Sequence, residues 1–398
     1  MDTIEELLTR GVANIIPDKK QLETLLRSGK KLNIYLGIDP TAPHIHLGHA
    51  VPLRKLQIFA ELGHHVSLLI GDFTTLVGDT SDKESERPIL TQEEIEKTFQ
   101  TYKRQAEKVL DFSRITIVHN RDWLEKLTYK DIIKLQQQFS LNDFISRELI
   151  RKRLDEGKRV RLDETSYPLM QGYDSYFLDT DIQLGGTDQT FNMQAGRTLQ
   201  KVFRQKESFV MTNIFLDGTD GRKMSKSWGN AIWLDDSAED MYAKVMAIKD
   251  EVIIQYFTLA THLPLAEIAE IEQSLRNGAH PMQIKKRLAD EIVADLYSKD
   301  VAQKAAAYFE KTVQEKEKPQ DLPAVKIDIQ NKTLADILVE TKLAQSKSDA
   351  KRLIEQGGVK IDENVINTPL QPFQDIIKHK EAIIQVGKRK FVKIHTQS

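Results

Sequence analysis

Residues 33–56, N-I-Y-L-G-I-D-P-T-A-P-H-I-H-L-G-H-A-V-P-L-R-K-L, constrain this chain more than any other stretch. The alternating apolar residues Ile34, Leu36 and Ile38 read as a strand that stops at Asp39-Pro40. A turn of Thr41, Ala42 and Pro43 leads into a helix whose first turn carries His46, Gly48 and His49. A strand, a tight turn and a helix N-terminus together make the geometry that receives a nucleotide phosphate. The unpaired N–H groups and the positive end of the helix dipole converge there. Histidines three apart share a helix face, so both can reach one phosphate–sugar. Gly48 between them removes the side chain that would keep a purine off the backbone. Two histidines in one turn also fit a plain surface pair, so the remaining segments have to decide.

Further short apolar runs at crossover spacing extend the pattern to a parallel sheet. Val66 to Ile70, Ile115 to Val118, Asp181 to Gly186 and Phe209 to Phe215 read as strands. A helix from Leu47 to Leu62 closes on Gly63, and one opening at Thr91 with a capping box runs to about Asp111. Thr3 to Gly29 reads as two amphipathic helices interrupted near Pro17. Residues 124–161, with Ile133, Leu135, Phe139, Leu141, Phe144 and Ile145, form a helical insertion in the strand–helix alternation. From Ala238 to about Val313 the pattern is helical, and it ends in a charged linker bearing Pro319 and Pro323. The last segment shows two helices, a glycine turn and short strands at Val359 to Ile361 and Ile383 to Val386.

Three polar clusters accompany this framework. Tyr167, Gln171 and Asp174 fall at i, i+4 and i+7, on one helix face, and Pro168 suits that helix's first turn. Their neighbours Leu169, Met170 and Phe177 are apolar, so the polar stripe faces inward and should bind something. The glycines Gly185 and Gly186 permit close approach of a ligand, and Asp188 is placed like an acidic residue that holds ribose hydroxyls. Far downstream stands Gly221-Arg222-Lys223-Met224-Ser225-Lys226-Ser227, a basic loop led by glycine.

Composition sets the outer limits. The chain has 398 residues, enough for two or three domains. It contains no cysteine, which excludes disulfides, cysteine zinc sites and thiolate nucleophiles. The net charge of −2 hides an asymmetry: residues 324–398 carry 13 Lys+Arg against 9 Asp+Glu, and the remainder 44 against 50. A basic tail on an acidic body predicts a polyanion partner for the C-terminal part. The acidic N-terminus resembles no signal peptide, and no apolar run is long enough to span a membrane, so a cytoplasmic setting is expected.

The motifs H-L-G-H and K-M-S-K-S, in this order, resemble those of the class I aminoacyl-tRNA synthetases, and the context is similar to the bacterial tyrosine branch of that family along essentially the whole chain. The resemblance implies an α/β fold: a Rossmann-like parallel-sheet catalytic domain (1–227) with a connective insertion (about 124–161). An all-α, anticodon-binding domain (228–318) and a small α+β RNA-binding domain of the α-L type (330–398) would follow. It implies L-tyrosine, ATP and tRNA(Tyr) as substrates, Mg2+ with the ATP, and a homodimer. Thr41, His46 and His49 would act in catalysis with Lys83, Arg87, Lys223 and Lys226 of a mobile basic set. Asp39, Gly48, Gly186 and Asp188 would hold ATP, together with Lys226. Asp79, Tyr167 and Gln171 would hold the α-ammonium of tyrosine, Tyr35 and Asp174 its phenol hydroxyl, and Gln189 would complete the pocket. Lys347, Lys351, Arg352 and Lys360 would contact RNA. No dedicated metal cage is apparent. Leu36, Pro52 and Thr80 depart from the family pattern, and none of them touches the phenol pocket. The same fold with a tryptophan pocket and a non-catalytic RNA-binding protein on this scaffold are the competing readings. Asp174 with Tyr35 favours tyrosine over tryptophan, and two intact motifs favour an enzyme.

Overall fold

The computed structural model describes residues 2–79, 91–225, 228–314, 324–330, 332–377, 379, 381–387 and 390–397. The chain divides into two compact units, residues 1–237 with 244–299, and residues 238–243 with 300–398.

The first unit is built on a six-stranded sheet. Its strands are β1 (Val12–Ile16), β2 (Asn33–Ile38), β3 (His65–Ile70), β4 (Ile115–His119), β5 (Ile182–Gly186) and β6 (Phe209–Asn213). Their order across the sheet is β1-β6-β5-β2-β3-β4. All neighbours run parallel except β1, which pairs antiparallel with β6. The chain lays β2, β3 and β4 outward in one direction, then returns to place β5 on the other side of β2. The strand order therefore reverses between β2 and β5, and the crevice at their carboxyl ends is where open α/β sheets bind ligands. β5 and β6 are buried along almost their whole length, as expected of strands covered on both faces.

β1 corrects the sequence reading. Residues 12–16 were expected to belong to a helical pair before Pro17, but they form an edge strand between the helices Thr3–Leu7 and Lys19–Arg27. V-A-N-I-I is β-branched at both ends, and its partner strand on the sheet supplies the hydrogen bonds that decide its state. The sheet is thus mixed at one edge. The insertion is helical as expected, with helices Tyr129–Gln136, Leu141–Ile145 and Glu148–Asp155. It is tied down by a buried pair in which Arg153 meets both carboxylate oxygens of Glu164 at 2.6 and 3.0 Å. Helices Ile253–Ala260, Leu265–Arg276 and Pro281–Leu296 complete the unit.

In the second unit a five-stranded sheet has the order β7-β11-β10-β8-β9, with β7 (Ala324–Asp328), β8 (Val359–Ile361), β9 (Asn364–Val365), β10 (Glu381–Val386) and β11 (Lys390–Gln397). Three of its strands were not anticipated: β7, just after the linker, the short β9, and β11, which pairs with β7 in parallel. Helices Leu334–Glu340 and Lys347–Glu355 pack Leu334, Ile337, Leu338 and Ile354 into a core with Ile361, Phe373 and Ile384.

Candidate active site

A cavity of about 720 Å³ opens at the carboxyl ends of β2 and β5. Every described candidate for catalysis, for tyrosine or for ATP lines it: Tyr35, Asp39, Thr41, His46, Gly48, His49, Asp79, Tyr167, Gln171, Asp174, Gly186, Asp188, Gln189 and Lys223. Lys83, Arg87 and Lys226 lie outside the described residues.

The cavity floor is buried and tightly wired. Asp174, on the helix Tyr167–Phe177, is 2% exposed. One of its carboxylate oxygens accepts from Trp123 Nε1 at 2.7 Å and the other from Asn120 Nδ2 at 3.2 Å. Burial raises its pKa to about 7; the donors Trp123 and Asn120 oppose that shift, while Asp39 and Asp72 reinforce it. Asn120 stands just after β4 and is itself fixed, accepting from Phe73 N at 3.0 Å and donating to Thr74 Oγ1 at 3.1 Å. Tyr35, on β2, is fully buried, and burial followed by the nearby Asp174 raises its phenol pKa well above the usual value. Its hydroxyl donates to Gln183 Oε1 at 3.1 Å, and Gln183 Nε2 in turn donates to the Met193 carbonyl at 3.0 Å. A ligand hydroxyl has one proton, which it can donate to Asp174; the Tyr35 hydroxyl bonds the same ligand oxygen only by turning its own proton from Gln183 towards it.

Midway along the cavity, Asp79 accepts from Gln189 Nε2 at 2.6 Å, and Gln189 Oε1 accepts from Asn192 Nδ2 at 3.1 Å. Asp39 links strand and helix: it accepts from Thr74 Oγ1 at 2.8 Å and from Tyr167 OH at 2.9 Å. Gly71 makes room for that arrangement, since a Cβ there would lie 2.0 Å from Asp39 Oδ1. Two residues read as belonging to different subsites, Asp39 and Tyr167, are therefore bonded to each other.

At the rim, the helix Leu47–Glu61 starts with His46 as its N-cap, one position earlier than a first-turn residue. The backbone N–H of His46 donates to His49 Nδ1 at 3.1 Å, which leaves the His49 ring proton on Nε2. The two rings lie with centroids 3.9 Å apart and planes tilted by 41°, and the Trp233 ring lies 5.7 Å from that of His46. Burial, then His49 and Lys223, depress the pKa of His46 to about 2, so this imidazole is neutral at physiological pH. Its Nδ1 has no hydrogen-bond partner among the described residues. Gly48 has a local reason of its own: a Cβ there would sit 3.0 Å from the His46 ring. Lys223 Nζ lies 3.6 Å from Asp188 and 4.1 Å above the Phe215 ring.

Four residues important to this geometry escaped the sequence reading: Asn120, Trp123, Gln183 and Trp233. Asn120 follows a strand end directly, which is a usable signal. Trp123 and Trp233 carry none, because nothing local shows that an indole N–H or ring will meet a partner from a distant segment. In the C-terminal unit, Lys347 and Lys351 are exposed on one helix and Lys360 on β8. Lys347 pairs with Asp336 at 2.7 Å and Arg352 with Asp349 at 2.6 Å.

Sheet order, switch point and cavity together define a Rossmann-like α/β protein. The family model described as class I tRNA synthetases (W and Y) matches residues 27–314, and one described as the SYY-like C-terminal domain of tyrosine–tRNA ligase matches residues 314–394. The chain belongs to the class I tRNA synthetases of the tryptophan and tyrosine group. A tyrosine–tRNA ligase of Thermotoga maritima is 42% identical over 392 residues, covering 98% of this chain and 96% of its own. One of Moorella thermoacetica is 42% identical over 395 residues, covering 98% and 95%. Among solved structures, a C-terminally truncated mitochondrial tyrosyl-tRNA synthetase of Aspergillus nidulans superposes with a TM-score of 0.64 at 24% identity, covering 77% of this chain and 92% of that one. That likeness is one of fold.

Proposed function

We infer that this chain is a tyrosine–tRNA ligase. It activates L-tyrosine with ATP and passes the tyrosyl group to the 3′ end of tRNA(Tyr). The observation that carries the reading is the cavity floor, where a buried carboxylate, Asp174, and a buried phenol, Tyr35, stand ready for one ligand hydroxyl. A phenylalanine ring placed there leaves both buried polar groups without that partner.

The reaction then runs along the cavity. The phenol of tyrosine sits against Asp174 and Tyr35, and its α-ammonium meets Asp79, Tyr167 and Gln171, with Gln189 holding Asp79. The ATP ribose lies at Asp188 and Gly186, with Asp39 and Gly48 beside the nucleoside. A carboxylate oxygen of tyrosine attacks the α-phosphorus, the bond to the β-phosphate oxygen breaks, and pyrophosphate leaves. Thr41, neutral His46, His49, Lys223 and Lys226 stabilise the charge that develops on the leaving phosphates, and Lys83 and Arg87 join them. A terminal ribose hydroxyl of tRNA next attacks the acyl carbon and AMP departs.

Among the described residues no group of three or more His, Asp or Glu forms a cage for a metal ion. Mg2+ would come with the ATP phosphates and neutralise part of their charge. The helical stretch 228–318 and the module 330–398, with Lys347, Lys351, Arg352 and Lys360, meet the tRNA. A homodimer is supported by apolar side chains exposed on the insertion and just after it, where Tyr129 is 78%, Leu141 63% and Leu162 83% exposed. Leu162→Asp should halve the mass seen in sedimentation if this face pairs two subunits. No helix among the described residues is long and apolar enough to cross a membrane, and a tRNA substrate is consistent with a cytoplasmic setting.

ATP–pyrophosphate exchange dependent on tyrosine, phenylalanine or tryptophan tests the assignment. Exchange with tyrosine alone supports it, exchange with tryptophan overturns the substrate, and exchange with none of the three overturns the enzyme.

A further inference from the structure

One buried side chain at the rim is not used by the chemistry above. Asn230 is 3% exposed and lies seven residues beyond Lys223. Its amide reaches back into the basic loop from inside the fold. Oδ1 accepts from Ser225 N at 2.9 Å, while Nδ2 donates to Asp220 Oδ1 at 2.7 Å and to the Lys223 carbonyl at 3.2 Å. The Asn230 carbonyl accepts from Thr219 N at 3.0 Å. A single residue thus grips the chain before, at and after Lys223.

The turn that it grips is tight. Asp217 and Lys223 oppose each other in an antiparallel bridge, Gly218 N donates to the Arg222 carbonyl at 2.6 Å, and Gly221 has φ +77°. Gly218 is needed for the fit, because a Cβ there would fall 2.4 Å from both Cγ and Nδ2 of Asn230. The bond from Asn230, followed by that from Arg222, also pulls the pKa of Asp220 far below the ordinary carboxylate range.

Lys223 itself is different. Its side chain is 44% exposed and carries its charge on a flexible four-carbon stem. Such a charge is placed only as well as its Cα is held, and Asn230 holds it together with the bridge to Asp217.

We propose that Asn230 is a positioning residue for Lys223, fixing the backbone of the basic loop so that the ammonium faces the cavity during adenylate formation. The inference rests on the tyrosine-activating reading of that cavity. A residue that served only stability would weaken the whole unit and all kinetic parameters together. A positioning residue acts through Lys223 alone.

The test is a double-mutant cycle on ATP–pyrophosphate exchange with Asn230→Ala, Lys223→Ala and the pair. Asn230→Ala should lower kcat by about 10- to 100-fold and leave the tyrosine KM within about twofold. Its defect should largely disappear in the Lys223→Ala background. Asn230→Asp keeps the acceptor for Ser225 N, loses both donors and faces Asp220, so its loss should be no smaller. Gly218→Ala, which disturbs the same contact from the other side, should reproduce the split. Full multiplication of the two single defects, or an unchanged kcat, overturns the proposal. Amide hydrogen exchange supplies a readout independent of turnover. In Asn230→Ala the peptide 216–230 should exchange faster at Ser225 by tenfold or more, with the remainder of the unit unchanged. Unaltered exchange there sinks the proposal. A wild-type protein inactive with tyrosine, but with a loop loosened in the variant, sinks only the substrate reading.

Discussion

The floor and the rim of the cavity are built in opposite ways. At the floor, Asp174, Tyr35, Asn120, Trp123 and Gln183 are all buried, and side chains from the sheet and the helices around it hold one another. At the rim, Lys223 is half exposed, its Asp188 partner is 3.6 Å away, and its support is a tight turn with one buried amide behind it. Recognition of a hydroxyl demands a fixed, water-free acceptor, because an alternative ligand is rejected only by leaving that acceptor unpaired. Stabilising a leaving phosphate demands a charge aimed at the place where charge develops. His46 stands between these extremes: it is at the rim, yet burial keeps its ring neutral, with one N–H to donate and one nitrogen to accept.

The largest effect should come from breaking the floor. Asp174→Ala removes the acceptor and leaves the Trp123 and Asn120 donors unpaired, so tyrosine-dependent exchange should fall in kcat/KM by about 1000-fold. A loss under tenfold would mean that the hydroxyl is read elsewhere. At the rim, Lys223→Ala should lower kcat about 100-fold with the tyrosine KM nearly unchanged. A rise in KM instead would make Lys223 a ground-state contact and erase the contrast between the two ends.

The floor also carries a cost that stability measurements can expose. Burial raises the pKa of Asp174 to about 7, against 3.8 for an ordinary aspartate. Between these values the folded protein takes up a proton that the unfolded chain does not. The stabilisation from that proton is complete below the unfolded pKa and is lost as pH rises towards 7. Asp174→Asn should therefore gain on the order of 2 kcal/mol over the wild type at pH 8, and almost nothing at pH 4. Urea titrations at the two pH values check this. An equal effect at both would place an ordinary, ionised carboxylate at the floor. The smallest effect is expected for Trp123→Phe, which keeps the ring and removes one donor. The tyrosine KM should rise roughly tenfold. An unchanged KM would show that Asn120 alone suffices to hold Asp174.

The two ends also differ in how far the sequence reveals them. Individual residues at both ends were readable from spacing and residue type: His46 and His49 in one turn, Asp174 on an inward polar stripe, Lys223 in a glycine-led basic loop. Their supports were not. Trp123 meets Asp174 across 51 positions of sequence and Tyr35 meets Gln183 across 148. The strand Val12–Ile16 was hidden for the same reason, since its partner β6 lies about 200 residues further on. The two C-terminal strands β7 and β11 are another long-range pair.

By itself the sequence determined the periodicities that make strands and helices, the turn that starts the helix Leu47–Glu61, and which side chains can carry charge or hydrogen bonds. Those properties are local, set by backbone sterics and by neighbours within a turn or two. Tertiary structure alone decided which groups became partners, that Asp39 holds Tyr167, that Asp174 rises to a pKa of about 7 and that His46 is neutral. Burial and long-range hydrogen bonding set those outcomes, and neither exists until distant segments have packed.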